Sequence, residues 1–148
     1  MQNAIDCVRD FHRRIGAPIA ESPTLLPCRR EDAEEIAKRL RELATACSQL
    51  SRESGDLSAR LHMALEEIAE FAEAHAEDDI VAAADAWGDR MYVLLGDAVS
   101  TGLPGAIFDE VHRSNMSKNA GATTDEGKGV KSTQFIEPDL ARLLKMEE

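Results

Sequence analysis

The chain has 148 residues, about the size of one ordinary domain and long enough to build a core without disulfides or a structural metal. Ala, Glu and Leu supply 52 residues and aromatics only six, a mix that favours helices and excludes a β-sandwich or barrel. The net charge of −11 argues against a general nucleic-acid or anionic-membrane surface, and no run of about 18 apolar residues is present to span a bilayer.

Cys7, Cys28 and Cys47 form no CxxC pair and are odd in number, so neither a zinc site nor a disulfide framework is favoured, and a reducing cytoplasm fits. Met1 to Asp10 carries acids and lacks an apolar core, so it does not read as a secretory signal. Ile5 to Arg14 reads as a short helix, ended by Gly16 and Pro18, and Gly16 to Pro27 as an extended connector. Glu31 to Leu50 is a long amphipathic helix whose stripe runs Ala33, Ile36, Ala37, Leu40, Leu43, Ala44, Cys47, Leu50. After the break at Ser54-Gly55-Asp56, Leu57 to Glu77 forms the next helix, with Leu61, Leu65, Ile68 and Ala72 on its apolar side. Asp78-Asp79 starts another, which runs to about Ser100 and stops at Gly102 and Pro104. Ala106 to Ser117 is a shorter helix, 119–137 a flexible loop or tail, and Asp139 to Lys145 a last short helix. The expectation is one all-α domain over 1–148, with two long central helices packed antiparallel.

The charge is unevenly placed. Residues 61–110 hold twelve acids against a single base, Arg90, while the flanking segments balance. That stretch is either a strongly solvated face or one neutralised by bound cations. Within it, Glu66, Glu67 and Glu70 lie at spacings that let two of them share one cation, although acidic pairs of this kind also decorate ordinary exposed helices. Glu70 falls away from the apolar stripe, so only a second layer of protein could cover it.

Asp85 and Asp89 are a sharper signal. They sit one turn apart in a helix that is apolar nearly all round, from Ile80 to Val99, and such a helix is normally buried. Two buried like charges repel, and either a multivalent cation or hydrogen bonds and a basic partner must relieve them. A tight turn at Asp78-Asp79 brings both groups level. Up to five carboxylates then face one another, the hard-oxygen set that Mg²⁺ selects. His62, His75 and His112 show no ligand spacing and read as surface or helix-end residues. Trp87 and Tyr92 read as core.

Three stretches carry a family resemblance: Glu66-Glu67-x-x-Glu70, then Asp85-x-x-x-Asp89-x-x-Tyr92-Val93, then Glu110-Val111-His112-Arg113-Ser114-Asn115-Met116-Ser117-Lys118. Together they resemble the all-α nucleoside triphosphate pyrophosphohydrolases, which include MazG-like enzymes, dimeric dUTPases and phosphoribosyl-ATP pyrophosphohydrolase. The opening Phe11-His12-Arg13-Arg14-Ile15-Gly16-Ala17-Pro18 and the later Gly127-Lys128-Gly129-Val130-Lys131 with Pro138-Asp139-Leu140 are similar to a phosphoribosyl-ATP pyrophosphohydrolase-like branch, some members of which act on dUTP. The resemblance leaves out about Arg29 to Arg60, whose long helix, Glu31 to Leu50, stands as an insertion of open purpose. One departure concerns the second acidic motif, usually Glu-x-x-Asp, whose Glu position is Ala86 here. Asp85 is one residue earlier and about 100° away around the helix.

The resemblance implies hydrolysis of a nucleoside triphosphate between its α and β phosphates, to a monophosphate and pyrophosphate, as a house-cleaning activity. It implies Mg²⁺, with Mn²⁺ as a substitute, held by Glu67, Glu70, Asp89 and Asp85, with Glu66 and Glu67 as catalytic residues. Asn115, Lys118, Arg113, Lys128 and Lys131 are the implied phosphate contacts, and His12 a contact to the base. Four-helix units completed by dimerisation are implied too, as a homodimer or dimer of dimers, with Gly88 and Gly96 permitting close approach. The number of metals and the identity of the base stay open because of Ala86. Two alternatives stand beside this reading: the phosphoribosyl-ATP reaction of histidine biosynthesis, and a non-catalytic helical dimer that senses nucleotides or binds a partner. Neither nucleic acid nor membrane is an expected partner.

Overall fold

A computed structural model describes residues 1–145, with the backbone alone for 51–54. The elements are α1 (Gln2–Ile15), α2 (Arg30–Ser54), α3 (Asp56–Ala76), α4 (Ile80–Thr101), α5 (Ala106–Asn115) and α6 (Leu140–Leu143). No strand occurs among the described residues, only an isolated antiparallel bridge between Thr123 and Gly129. The chain is all-α, as its composition demands, and no single described helix is long and apolar enough to cross a membrane. It divides into two compact units, Ser22–Thr101 and Met1–Glu21 with Gly102–Glu148.

The first unit is a row of three antiparallel helices with α3 in the middle, packed against both α2 and α4. Gly55, at φ 77°, makes the reversal between α2 and α3 in a left-handed conformation that costs glycine little. Asp79 caps α4, its Oδ1 accepting the N–H groups of Val81 and Ala82 at 2.9 and 3.0 Å. The seams are built from small residues. Ala33, Ala37 and Ala44 of α2, Ser58, Ala69, Ala74 and Ala76 of α3, and Ala83 and Ala86 of α4 are buried, which lets the backbones approach closely.

The larger apolar side chains do not follow the sequence expectation. Ile36, Leu43 and Leu50 of the α2 stripe are exposed, and so are Leu61 and Ile68 of α3. On α4, expected to be buried all round, Val81, Tyr92 and Val99 are 75, 81 and 84% exposed, Asp85 and Asp89 are exposed, and Trp87 is exposed rather than core. The reason is geometric: within this unit α3 alone packs on α4, so one face is covered and the rest is left bare.

The second unit joins both ends of the chain. α1 packs on α5, and α5 on α6. Gly16, at φ 74°, closes α1 with its N–H on the His12 carbonyl. Segment 119–137 carries no helix, but it is fastened by backbone hydrogen bonds from Asn119 N–H to the Val130 carbonyl (2.9 Å) and from Gly121 N–H to the Arg14 carbonyl (2.7 Å).

Candidate functional site

The antiparallel register of α3 and α4 brings Glu67 under the influence of Asp89. Burial raises the Glu67 carboxyl above its ordinary value, and the negative charges of Glu70, Asp89 and Glu66 push it further in the same direction, against a smaller opposing pull from Arg41. Glu67 Oε2 is shut off from solvent and has no hydrogen-bond partner among the described residues. Such an orphaned carboxylate oxygen is costly, and a cation or a donor supplied from outside the chain would relieve it.

Two of its neighbours are already engaged. Glu66 Oε2 lies 3.2 Å from His62 Nε2, whose Nδ1 is 3.0 Å from the Ala44 carbonyl oxygen on α2. Glu70 lies 3.6 Å from the guanidinium of Arg41 on α2, which also donates to both oxygens of Glu73 at 2.9 and 2.7 Å. This fork lowers the Glu73 carboxyl and raises Arg41 further above its already high value. Helix α2 reaches the Glu70 side through Arg41, but it does not cover Glu70, which stays exposed. Asp85 is not among the charges that bear on Glu67, and Ala86, in the usual Glu position, points into the buried seam. Among the described residues no three acidic or other ligating side chains are gathered tightly enough to hold a metal ion. The donors are hard oxygens of the right kind for Mg²⁺, and one is orphaned; Arg41 and His62 draw two others aside.

Sequence reasoning missed Arg41, and it treated His62 as an ordinary surface residue. A signal for Arg41 existed: it is four residues after Ala37 and three before Ala44, both buried, so it lies at the inward edge of α2. Arg60 was missed as well. It spans from α3 to α4, donating to Asp97 Oδ1 at 2.6 Å and to the Val93 carbonyl. The space beside Gly96 is filled by this guanidinium, whereas a Cβ at Gly88 would meet nothing within 4 Å among the described residues.

The expected phosphate and base contacts fall in the unit formed by the chain ends. Phe11, His12, Pro18, Asn115, Lys118, Lys128 and Lys131 line a cleft of about 720 Å³ that has no acidic side chain in its wall. Gly129 is packed so tightly that a Cβ there would come within 2.9 Å of the Phe11 ring. Lys118 Nζ lies 5.6 Å from the centre of that ring. His12 Nδ1 donates to the Pro18 carbonyl at 2.8 Å, leaving Nε2 for a ligand. Lys131 is shared between Glu137, at 3.4 Å, and the Phe135 ring.

Arg113 is placed differently. It does not line the cleft but forks onto Glu110 at 2.8 and 2.6 Å and donates to the Glu137 carbonyl. With the Asp139 N–H as a further donor, Arg113 holds the Glu110 carboxyl down to about 2. A structural tie between α5 and the start of α6 is what this pair provides.

Residues 48–115, just under half of the chain, match the family model described as phosphoribosyl-ATP pyrophosphohydrolase. No curated protein and no solved structure matches the chain. The matched segment holds Glu66, Glu67, Glu70, Asp85 and Asp89 together with the helices that carry them. It bears out the superfamily resemblance: residues 48–115 are similar to a family of pyrophosphohydrolases, hydrolases acting on phosphoric anhydrides.

Proposed function

We propose that the protein is a Mg²⁺-dependent nucleoside triphosphate pyrophosphohydrolase that cleaves between the α and β phosphates of a deoxy or non-canonical nucleotide, with dUTP as a member of the class. The observation that carries the reading is Glu67, an orphaned carboxylate oxygen among like charges from two facing helices. Glu67, Glu70 and Asp89 would hold the ion, with Asp85 as an added ligand one residue from the usual position. A divalent ion bound there supplies charge neutralisation for phosphate groups and acidifies water. Hydrolysis of the anhydride adds one water across the bridge and needs an acceptor for its proton. Glu66 and Glu67 are the groups assigned to orient that water and take the proton. Within the unit of the chain ends, Lys118, Lys128, Lys131 and Asn115 suit phosphate oxygens, and His12 Nε2 suits a base edge.

The exposed apolar face of α4 supports a second copy of the chain as its cover, and the three free cysteines suit a reducing cytoplasm. A second substrate reading, phosphoribosyl-ATP, is favoured by the description of the matched family. Pyrophosphate release from a panel of canonical, deoxy and damaged triphosphates and phosphoribosyl-ATP, with and without Mg²⁺, separates the two. Release from no member of the panel would leave the non-catalytic nucleotide-binding dimer as the surviving reading.

A further inference from the structure

Most of α2 precedes the matched segment, yet this helix delivers a cation to the acid cluster. The two-point fork of Arg41 on Glu73, at 2.9 and 2.7 Å, fixes the guanidinium, and its Nη2 then stands 3.6 Å from Glu70 Oε1. Glu73 is the anchor, while Glu70 receives the longer and weaker contact. Resting on the reading of Glu70 as a metal ligand, we propose that Arg41 is a built-in competitor for the divalent ion, occupying Glu70 until an ion replaces it and so setting the ion concentration at which the site loads.

The geometry suits such a role. Without an ion, Glu70, Asp89 and Glu66 all repel Glu67, and the tethered positive charge of Arg41 opposes that repulsion. The Arg41 side chain is 39% exposed, and arginine–carboxylate pairs in that setting are weak enough to exchange. Because Glu73 keeps its hold, Arg41 can release Glu70 without becoming unpaired. Glu67 Oε2 has no hydrogen-bond partner to give up among the described residues, so exchange at Glu70 is the step that distinguishes the loaded from the unloaded arrangement.

The test is a titration of the full-length protein with Mn²⁺ at constant ionic strength, free ion being read by electron paramagnetic resonance. Arg41→Gln is expected to tighten Mn²⁺ binding about fivefold. Glu73→Gln, which releases the guanidinium toward Glu70, is expected to weaken it by a similar factor, and Arg41→Lys to stay within about twofold of the parent. Added to Arg41→Gln, Glu73→Gln should change little further, because its effect passes through the arginine. Damage to the α2–α3 packing would instead move both single variants in the same direction, and that result overturns the proposal. So does an unchanged or weakened Arg41→Gln in a protein whose Mn²⁺ binding is abolished by Glu67→Gln, a result that leaves the metal reading intact. Mn²⁺ binding indifferent to Glu67→Gln removes the metal reading itself, and the competitor role with it.

Discussion

Glu67 and Glu110 are carboxylates pushed in opposite directions, and stability should report both. Glu67 is raised, by burial first and by Glu70, Asp89 and Glu66 next. A carboxyl whose folded value exceeds its unfolded one favours the fold while protonated, and this benefit is lost as pH rises through the interval between the two. In chelator at pH 7, Glu67→Gln should therefore raise Tm by about 2 °C, a gain that fades as pH falls through that interval and is gone below the ordinary glutamate value. Glu110 is held at about 2 by the Arg113 fork and the Asp139 N–H, so its contribution is present above the ordinary value and is lost as pH falls toward 2. Glu110→Gln should lower Tm by a few degrees at neutral pH and bring that acid-sensitive increment to an end. Thermal melts of both variants across pH check the two signs. A gain from Glu67→Gln accompanied by lost catalysis would mark Glu67 as a residue kept for function at a cost in stability.

Helices α3 and α4 meet along alanines, and their two interior glycines differ in what surrounds them. An added Cβ at Gly88 meets nothing within 4 Å, while one at Gly96 would lie 2.6 Å from the guanidinium of Arg60. Gly88→Ala should stabilise the isolated chain by about 0.5–1 kcal/mol through helix propensity alone. Gly96→Ala should gain nothing, because Arg60 must leave its place beside Asp97. Urea denaturation of the two variants measures the contrast. At this scale the sequence was informative about helix positions, since Gly16, Gly55 and Asp79 mark real ends and spacing alone set Glu67 level with Asp89. It misled on burial. A periodic stripe says which residues share a face but not which of two neighbours covers it, and here alanines fill the seams while Ile36, Leu43 and Leu61 face outward. Spacing marks Arg41 as lying at the inward edge of α2, but its role depends on α2 packing beside α3, a tertiary fact absent from local pattern.

For the whole molecule, the bare face of α4 is the feature that most needs a partner. Val81, Tyr92, Leu95 and Val99 are exposed together on one side of the helix, more apolar surface than a lone helix usually shows to water. Sedimentation should give twice the 16.2 kDa mass of the chain or a higher multiple, and Tyr92→Asp with Leu95→Asp should shift the particle toward the monomer. Pyrophosphate release decides whether the protein carries out the proposed hydrolysis. Wild-type protein and the Glu70→Gln and Asp89→Asn variants are to be assayed on the triphosphate panel, with Mg²⁺ and with chelator. Release is expected to require Mg²⁺ and to fall at least about a hundredfold in each variant. Full release in chelator, or an undiminished rate in either variant, would contradict this expectation.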